Sequence, residues 1–128
     1  MNKLIIDATK DKIFLMIIIN DSNHYITHEN SKSNYEKLIL LINKLLKTRN
    51  LVLKNIQKIY VNRGPGSFAG IRNSLSIVKA LHLAKKIDYY CFSFNDFTEE
   101  NEVKYENIPK LCEKFKVKKN LINPIYMS

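Results

Sequence analysis

Few residues in this 128-residue chain stand at spacings that could do chemistry, and most of those that do surround Arg63-Gly64-Pro65-Gly66-Ser67. Two of the three glycines flank a proline between an apolar triplet (Ile59, Tyr60, Val61) and the start of a helical pattern. Glycines allow left-handed backbone angles and close approach, and the free N–H groups of a helix start favour anions. Gly64, Gly66 and Ser67 could therefore cradle a phosphate or carboxylate. The alternative is a tight strand-to-helix turn packed against neighbouring backbone. Asp7 ends an apolar segment two residues before Thr9. Sheet-based phosphotransferases hold a magnesium-handling carboxylate in that position, although an aspartate there also simply begins a turn. The His24-x-x-x-His28 pair lies in a segment of strand composition, where four residues span about 13 Å, too far to share one metal ion. No Ser-His-Asp set and no carboxylate pair suited to acid–base work is present, so no catalytic residue is assigned. No metal or cofactor is implied. Arg72 falls near the helix start, where a carboxylate partner is its expected neighbour.

The elements that must position these residues follow from apolar periodicity. Residues 3–7 form a short apolar segment, and 13–19 (IFLMIII) are apolar throughout, as in a strand covered on both faces. After the turn 20–23, residues 24–28 have strand composition, giving a three-stranded antiparallel meander. Residues 31–33 offer serines to cap a helix over 35–49, in which Tyr35, Leu38, Ile39, Leu41, Ile42, Leu45 and Leu46 recur at helical spacing until Asn50. A strand over 58–62, a helix over 68–86 opened by Ser67, and a strand over 89–94 complete two strand–helix–strand passages. Right-handed crossovers then place the last two strands parallel, beside the first. The expected fold is α/β: a five-stranded mixed sheet with two main helices. Beyond residue 95 the pattern weakens, with a short helix expected over 109–115 and an extended segment over 121–127.

Both main helices carry more apolar positions than one sheet face needs. Ile71, Leu75, Val78 and His82 form one row on the second, with Gly70, Ser74, Ile77, Leu81 and Ala84 in another; Leu40 lies outside the main stripe of the first. This predicts a face covered by another subunit, through Tyr35, Ile39, Ile42, Leu46, Gly70, Ile71, Ser74, Leu75 and Val78, with simple packing within the chain as the alternative.

Composition bounds the rest. Hydrophobic residues make up 45% and charged residues 26%, which fits a folded soluble domain. The net charge of +9 comes mostly from lysines spread along the chain, and only the tail concentrates them, at Lys110, Lys114, Lys116, Lys118 and Lys119. A tail binding RNA phosphates and a merely solvated surface both remain open. Cys91 and Cys112 lack metal-ligand spacing and are expected as reduced thiols, as in a cytoplasmic protein. No apolar run approaches the length of a membrane span, and no signal-type segment opens the chain, so neither membrane insertion nor secretion is expected.

The stretch GPGSFAGIR (64–72) resembles the GPGSFTGIR-type signature of the TsaB family, also called YeaZ. In the same order, LIIDATK (4–10) is similar to that family's first strand with its aspartate, 35–46 to its first long helix, 91–94 to its strand leaving the lobe, and NPIYM (123–127) to its Pro-x-Tyr ending. The resemblance covers residues 1–97 and that ending. It implies a single actin-like lobe of the sugar-kinase, Hsp70 and actin class (ASKHA, ribonuclease H-like) over 1–97, with 98–128 a shortened segment in place of a second lobe. The cleft between lobes would then be incomplete. It also implies a non-catalytic role in making threonylcarbamoyladenosine in tRNA, as a scaffold docking through a helix bundle on a TsaD-type catalytic subunit. A TsaE-type ATPase is the further partner implied, with a homodimer when alone and only indirect contact with tRNA. Departures from the family pattern are Ala69 for threonine, Ser74 for glycine, and Asp7-Ala8-Thr9 for Asp-Thr-Ser. Two other functions stay open: a nucleotide-binding enzyme or sensor using Asp7 and the glycine turn, and a tRNA-binding module using the basic tail.

Overall fold

The computed structural model describes residues 1–30, 35–98 and 100–126, with the backbone alone for Tyr35 and Glu36. The expected serine cap at 31–33, the Tyr35 side chain and Met127 fall outside the described residues. Five strands form one sheet in the order β3-β2-β1-β4-β5: β1 Asn2–Asp7, β2 Lys12–Ile19, β3 Ser22–Glu29, β4 Lys58–Asn62 and β5 Asp88–Phe92. The first three pair antiparallel and β4 and β5 add in parallel beside β1, as the patterning predicts. The register sets Asp7 opposite Phe14, and Ile6 beside Val61, so Asp7 and Asn62 end adjacent strands. Strand β5 is shorter than expected because Ser93 leaves it to open a 3-10 turn, Phe94–Asp96.

Helices α1 (Tyr35–Lys47) and α2 (Phe68–Lys85) cover one face of the sheet. Side chains alternate across a strand, so Leu4 and Ile6 meet these helices while Ile5 faces the other way. Asn50 and Lys86, both left-handed at φ 57°, follow the two helices, and Ser67 caps α2 by accepting from the Gly70 amide at 3.3 Å. The second face is covered by residues beyond the sheet. There α3 (Ile108–Lys114) sets Ile108, Leu111 and Cys112 against Ile5, Met16, Tyr60 and Phe92. The chain then returns along β5: Lys119 bridges Tyr90, the Asn120 amide donates to Tyr89 O at 2.7 Å, and the Asn120 side chain donates to Asp88 Oδ1 at 3.0 Å. That pairing covers part of an edge that would otherwise expose its hydrogen-bonding groups.

The apolar excess predicted for the two helices is mostly absorbed within the chain. Ile42, Leu46, Ile71, Ser74 and Val78 are fully buried and Leu75 nearly so, packed against β1, β2, β4 and each other. Ser74 Oγ donates to Ile71 O at 3.1 Å rather than spacing out a partner helix. The contact between the two helices covers the second side, as packing within the chain would. What stays outside is Leu40 on α1, Leu83 on α2 and Phe68 at the start of α2, with Ile39 half-buried.

Truncating Leu46 to Ala is expected to lower the stability measured by urea denaturation by about 2–5 kcal/mol. Leu40→Ala should change it by no more than about 0.5 kcal/mol. Equal effects would contradict this division between inner and outer helix faces.

Candidate functional site

The residues singled out for chemistry do come together, at the C-terminal ends of the parallel strands. Asp7 is 2% exposed and both its oxygens are occupied. Oδ1 accepts from the Thr9 amide at 3.0 Å and the Thr9 hydroxyl at 2.7 Å; Oδ2 accepts from Asn62 Nδ2 at 3.0 Å and the Tyr105 hydroxyl at 2.6 Å. A carboxylate withdrawn from water needs such partners, and this one has four. Tyr105 is held in place by stacking on Phe14, with ring centroids 4.0 Å apart, and by the edge of Phe94 at 5.8 Å. Burial, followed by the charge of Asp7, pushes its phenol well above the ordinary tyrosine range, so it remains a donor.

The glycine turn lies beside this carboxylate. Asn62 Oδ1 accepts from the Gly64 amide at 2.9 Å, Thr9 O from the Ser67 amide at 2.8 Å, and Ser67 O from the Ile71 amide at 2.9 Å. Two of the N–H groups that would make an anion cradle, those of Gly64 and Ser67, therefore already have partners in the chain, and the Ile71 amide makes the first bond of α2. The glycines serve close approach: a Cβ on Gly66 would stand 2.3 Å from Thr9 O, and one on Gly70 would stand 1.9 Å from Ala8 O. Gly64 has φ 112° and would place a Cβ 2.0 Å from Ile125 O. The turn between β1 and β2 is thus pressed into the start of α2, and Asn30 Nδ2 holds it there through Ala8 O and Lys10 O, both at 2.8 Å.

The last described segment closes the arrangement. The Ile125 amide donates to Arg63 O at 2.7 Å, and Arg63 donates through Nη1 to Asn123 O at 3.1 Å and through Nη2 to Asp96 Oδ1 at 2.7 Å. Tyr126 packs on Phe68 at 4.6 Å. Arg63, Asn62, Asn30, Asp96 and Tyr105 were not picked out from the sequence. Only the polar, aromatic character of the stretch around Tyr105 could have pointed to it, and nothing local gives its partner across 98 residues.

The other candidates stay apart. His24 and His28 lie on β3, as expected, and among the described residues no three metal-ligating side chains cluster. Cys91 and Cys112 are free and buried in different clusters, and burial pushes each thiol up to about 12. Gly70, Ile71, Ser74, Leu75 and Val78 pack inside the chain, as do Ile42 and Leu46.

Comparison with known proteins adds a family. The model of the TsaD family, described as tRNA N6-adenosine threonylcarbamoyltransferase, matches residues 26–112. The tRNA threonylcarbamoyladenosine biosynthesis protein TsaB of Buchnera aphidicola subsp. Schizaphis graminum is 34% identical over 70 residues, covering 54% of this chain and 33% of that protein. TsaB of Buchnera aphidicola subsp. Baizongia pistaciae is 29% identical over 73 residues and again covered over 33% of its length. The chain thus spans about a third of the curated relatives it matches. Among solved structures, YeaZ from Pseudomonas aeruginosa superposes with a TM-score of 0.67 at 20% identity, over 72% of this chain and 43% of that one. Thermus thermophilus RuvC gives 0.54 at 10% identity, over 90% and 80%. The fold is accordingly the actin-like, ribonuclease H-like lobe that the strand order describes.

Replacing Tyr105 with Phe leaves a buried charge one partner short and should cost about 1–3 kcal/mol in denaturant titrations. Unchanged stability would mean that solvent reaches Asp7. Native protein at pH 8 should resist iodoacetamide at both cysteines and react at both in guanidinium, since thiol, not thiolate, predominates in the fold. Fast alkylation of the native state would contradict their burial.

Proposed function

This chain belongs to the TsaD family, and within it to the TsaB/YeaZ proteins, and we propose that it acts as a non-catalytic subunit in making threonylcarbamoyladenosine in tRNA. In this reading it docks on a TsaD-type catalytic subunit and supports that subunit's reaction without contributing a reacting group. The observation that carries the reading is the enclosed carboxylate of Asp7. A group that handles the magnesium of a bound nucleotide must offer an oxygen lone pair to the cleft, whereas both Asp7 oxygens here accept two hydrogen bonds from within the chain. The engaged amides of Gly64 and Ser67 support it in the same way.

Docking falls to the outer helix faces. Leu40 and Leu83 are 66% and 72% exposed, and they are the large apolar side chains that a helix-on-helix contact would cover. Leu75 and Ile42, being inside the core, act only by holding those faces in place. The same surface would serve a homodimer in the absence of the catalytic subunit, and a TsaE-type ATPase would join the assembled pair. Contact with tRNA in this role is made by the catalytic subunit.

The test is co-elution of the purified chain with its cognate TsaD-type subunit on a sizing column. A complex is expected, weakened at least about tenfold by Leu40→Glu with Leu83→Glu, while circular dichroism stays unchanged. A complex that ignores both substitutions would move the interface, and no complex at all would retire the docking role. ATP hydrolysis by the chain alone that vanishes in Asp7→Asn would favour the nucleotide-binding enzyme instead.

A further inference from the structure

The opposite end of the sheet carries a second feature. At the N-terminal ends of the parallel strands a cavity of about 400 Å³ opens between the sheet and α3. Lys3 of β1 and Lys58 of β4 line it from one side, and Lys110 of α3 and Lys116 just after α3 from the other. These four lysines are distant in sequence and the fold brings them to one opening. None has an ion-pair partner among the described residues, unlike Lys114, which pairs with Glu100, and Lys119, which lies 3.7 Å from Asp88. Glu113 is the one carboxylate in the lining. Four cations around one recess repel each other, and an anion within it would relieve that repulsion.

The floor adds a hydroxyl donor. Tyr60 is 3% exposed, lines the cavity, and its hydroxyl has no hydrogen-bond partner among the described residues. The hydroxyl oxygen opens into the recess, where it can donate to a bound acceptor oxygen. Its ring stacks on Tyr90 at 5.0 Å, and Lys58 Nζ lies 5.8 Å from the Tyr90 ring centroid. The aromatic faces are therefore taken up within the protein, which leaves the site to read charge and acceptor oxygens rather than to stack a base. A neighbouring recess of about 330 Å³ shares Lys3, Pro109 and Lys110, and it extends the groove past Asn20 and Asn107 toward Asp21 and Glu106.

We propose that this cavity binds phosphate groups, either of a free polyphosphate such as the tail of a nucleotide or of an RNA backbone, using Lys3, Lys58, Lys110 and Lys116 as cations and the Tyr60 hydroxyl as donor. The site is separate from the Asp7 end of the sheet and does not depend on the docking role.

The test uses the full chain with two probes, a fluorescein-labelled single-stranded RNA followed by anisotropy and inorganic pyrophosphate followed by calorimetry. Four phosphate contacts to a single strand predict a slope of log affinity against log salt near about −3, or roughly 60-fold weaker binding at 200 mM than at 50 mM. Lys110→Gln with Lys116→Gln, both exposed, should weaken binding at least about tenfold. Lys44→Gln with Lys47→Gln, on the outer side of α1, removes the same charge and should leave binding unchanged. Tyr60→Phe should weaken binding a few-fold without altering the slope. Binding of both probes, with pyrophosphate displacing the RNA, identifies a free polyphosphate as sufficient; binding of RNA alone identifies the backbone. Loss of affinity to equal extent in the two double variants, or no binding of either probe, would overturn the proposal.

Discussion

A carboxylate almost wholly withdrawn from water ties separate parts of this fold together. Asp7 stands at the end of the central strand, and its charge is tolerable inside the protein only because the β1–β2 turn, β4 and the segment before α3 each send a donor to it. The hydrogen bond from Tyr105 in particular links residue 105 to residue 7, and the stack of Tyr105 on Phe14 extends that link into apolar packing. The polar bond fixes position, while the aromatic contact supplies buried area.

Around this point the backbone comes unusually close to itself. Gly66 and Gly70 lie against the carbonyls of Thr9 and Ala8, and Gly64 lies against that of Ile125. The glycine signature therefore acts as a junction at which the meander, the start of α2 and the last described residues meet without side chains between them. A motif suited to anion binding elsewhere serves packing here, and the chain's own oxygens take up its Gly64 and Ser67 amides. The same economy of space explains why α1 and α2 bury most of their apolar positions at home and leave only isolated leucines such as Leu40 and Leu83 outside.

The two ends of the parallel strands consequently differ in character. At their C-terminal ends polar groups are matched, and the charge of Asp7 is enclosed. At their N-terminal ends Lys3, Lys58, Lys110 and Lys116 line one recess with Glu113 as its one carboxylate, beside the Tyr60 hydroxyl.

Much of this was legible in the residues themselves. The order and pairing of the strands follow from an apolar run at 13–19, two strand–helix–strand passages and the handedness of crossovers, all of which are local or topological rules. The resemblance of GPGSFAGIR to a known signature pointed to the family before any contact was visible. The sequence could not tell that α1 and α2 would hide each other's apolar rows, that Tyr105 would complete the shell of Asp7, or that Lys3 and Lys58 would share a cavity with Lys110 and Lys116. Periodicity reports which face of an element is apolar, but whether that face is satisfied at home, and which distant groups share one recess, depends on contacts between residues far apart in the chain, and only tertiary packing decides those.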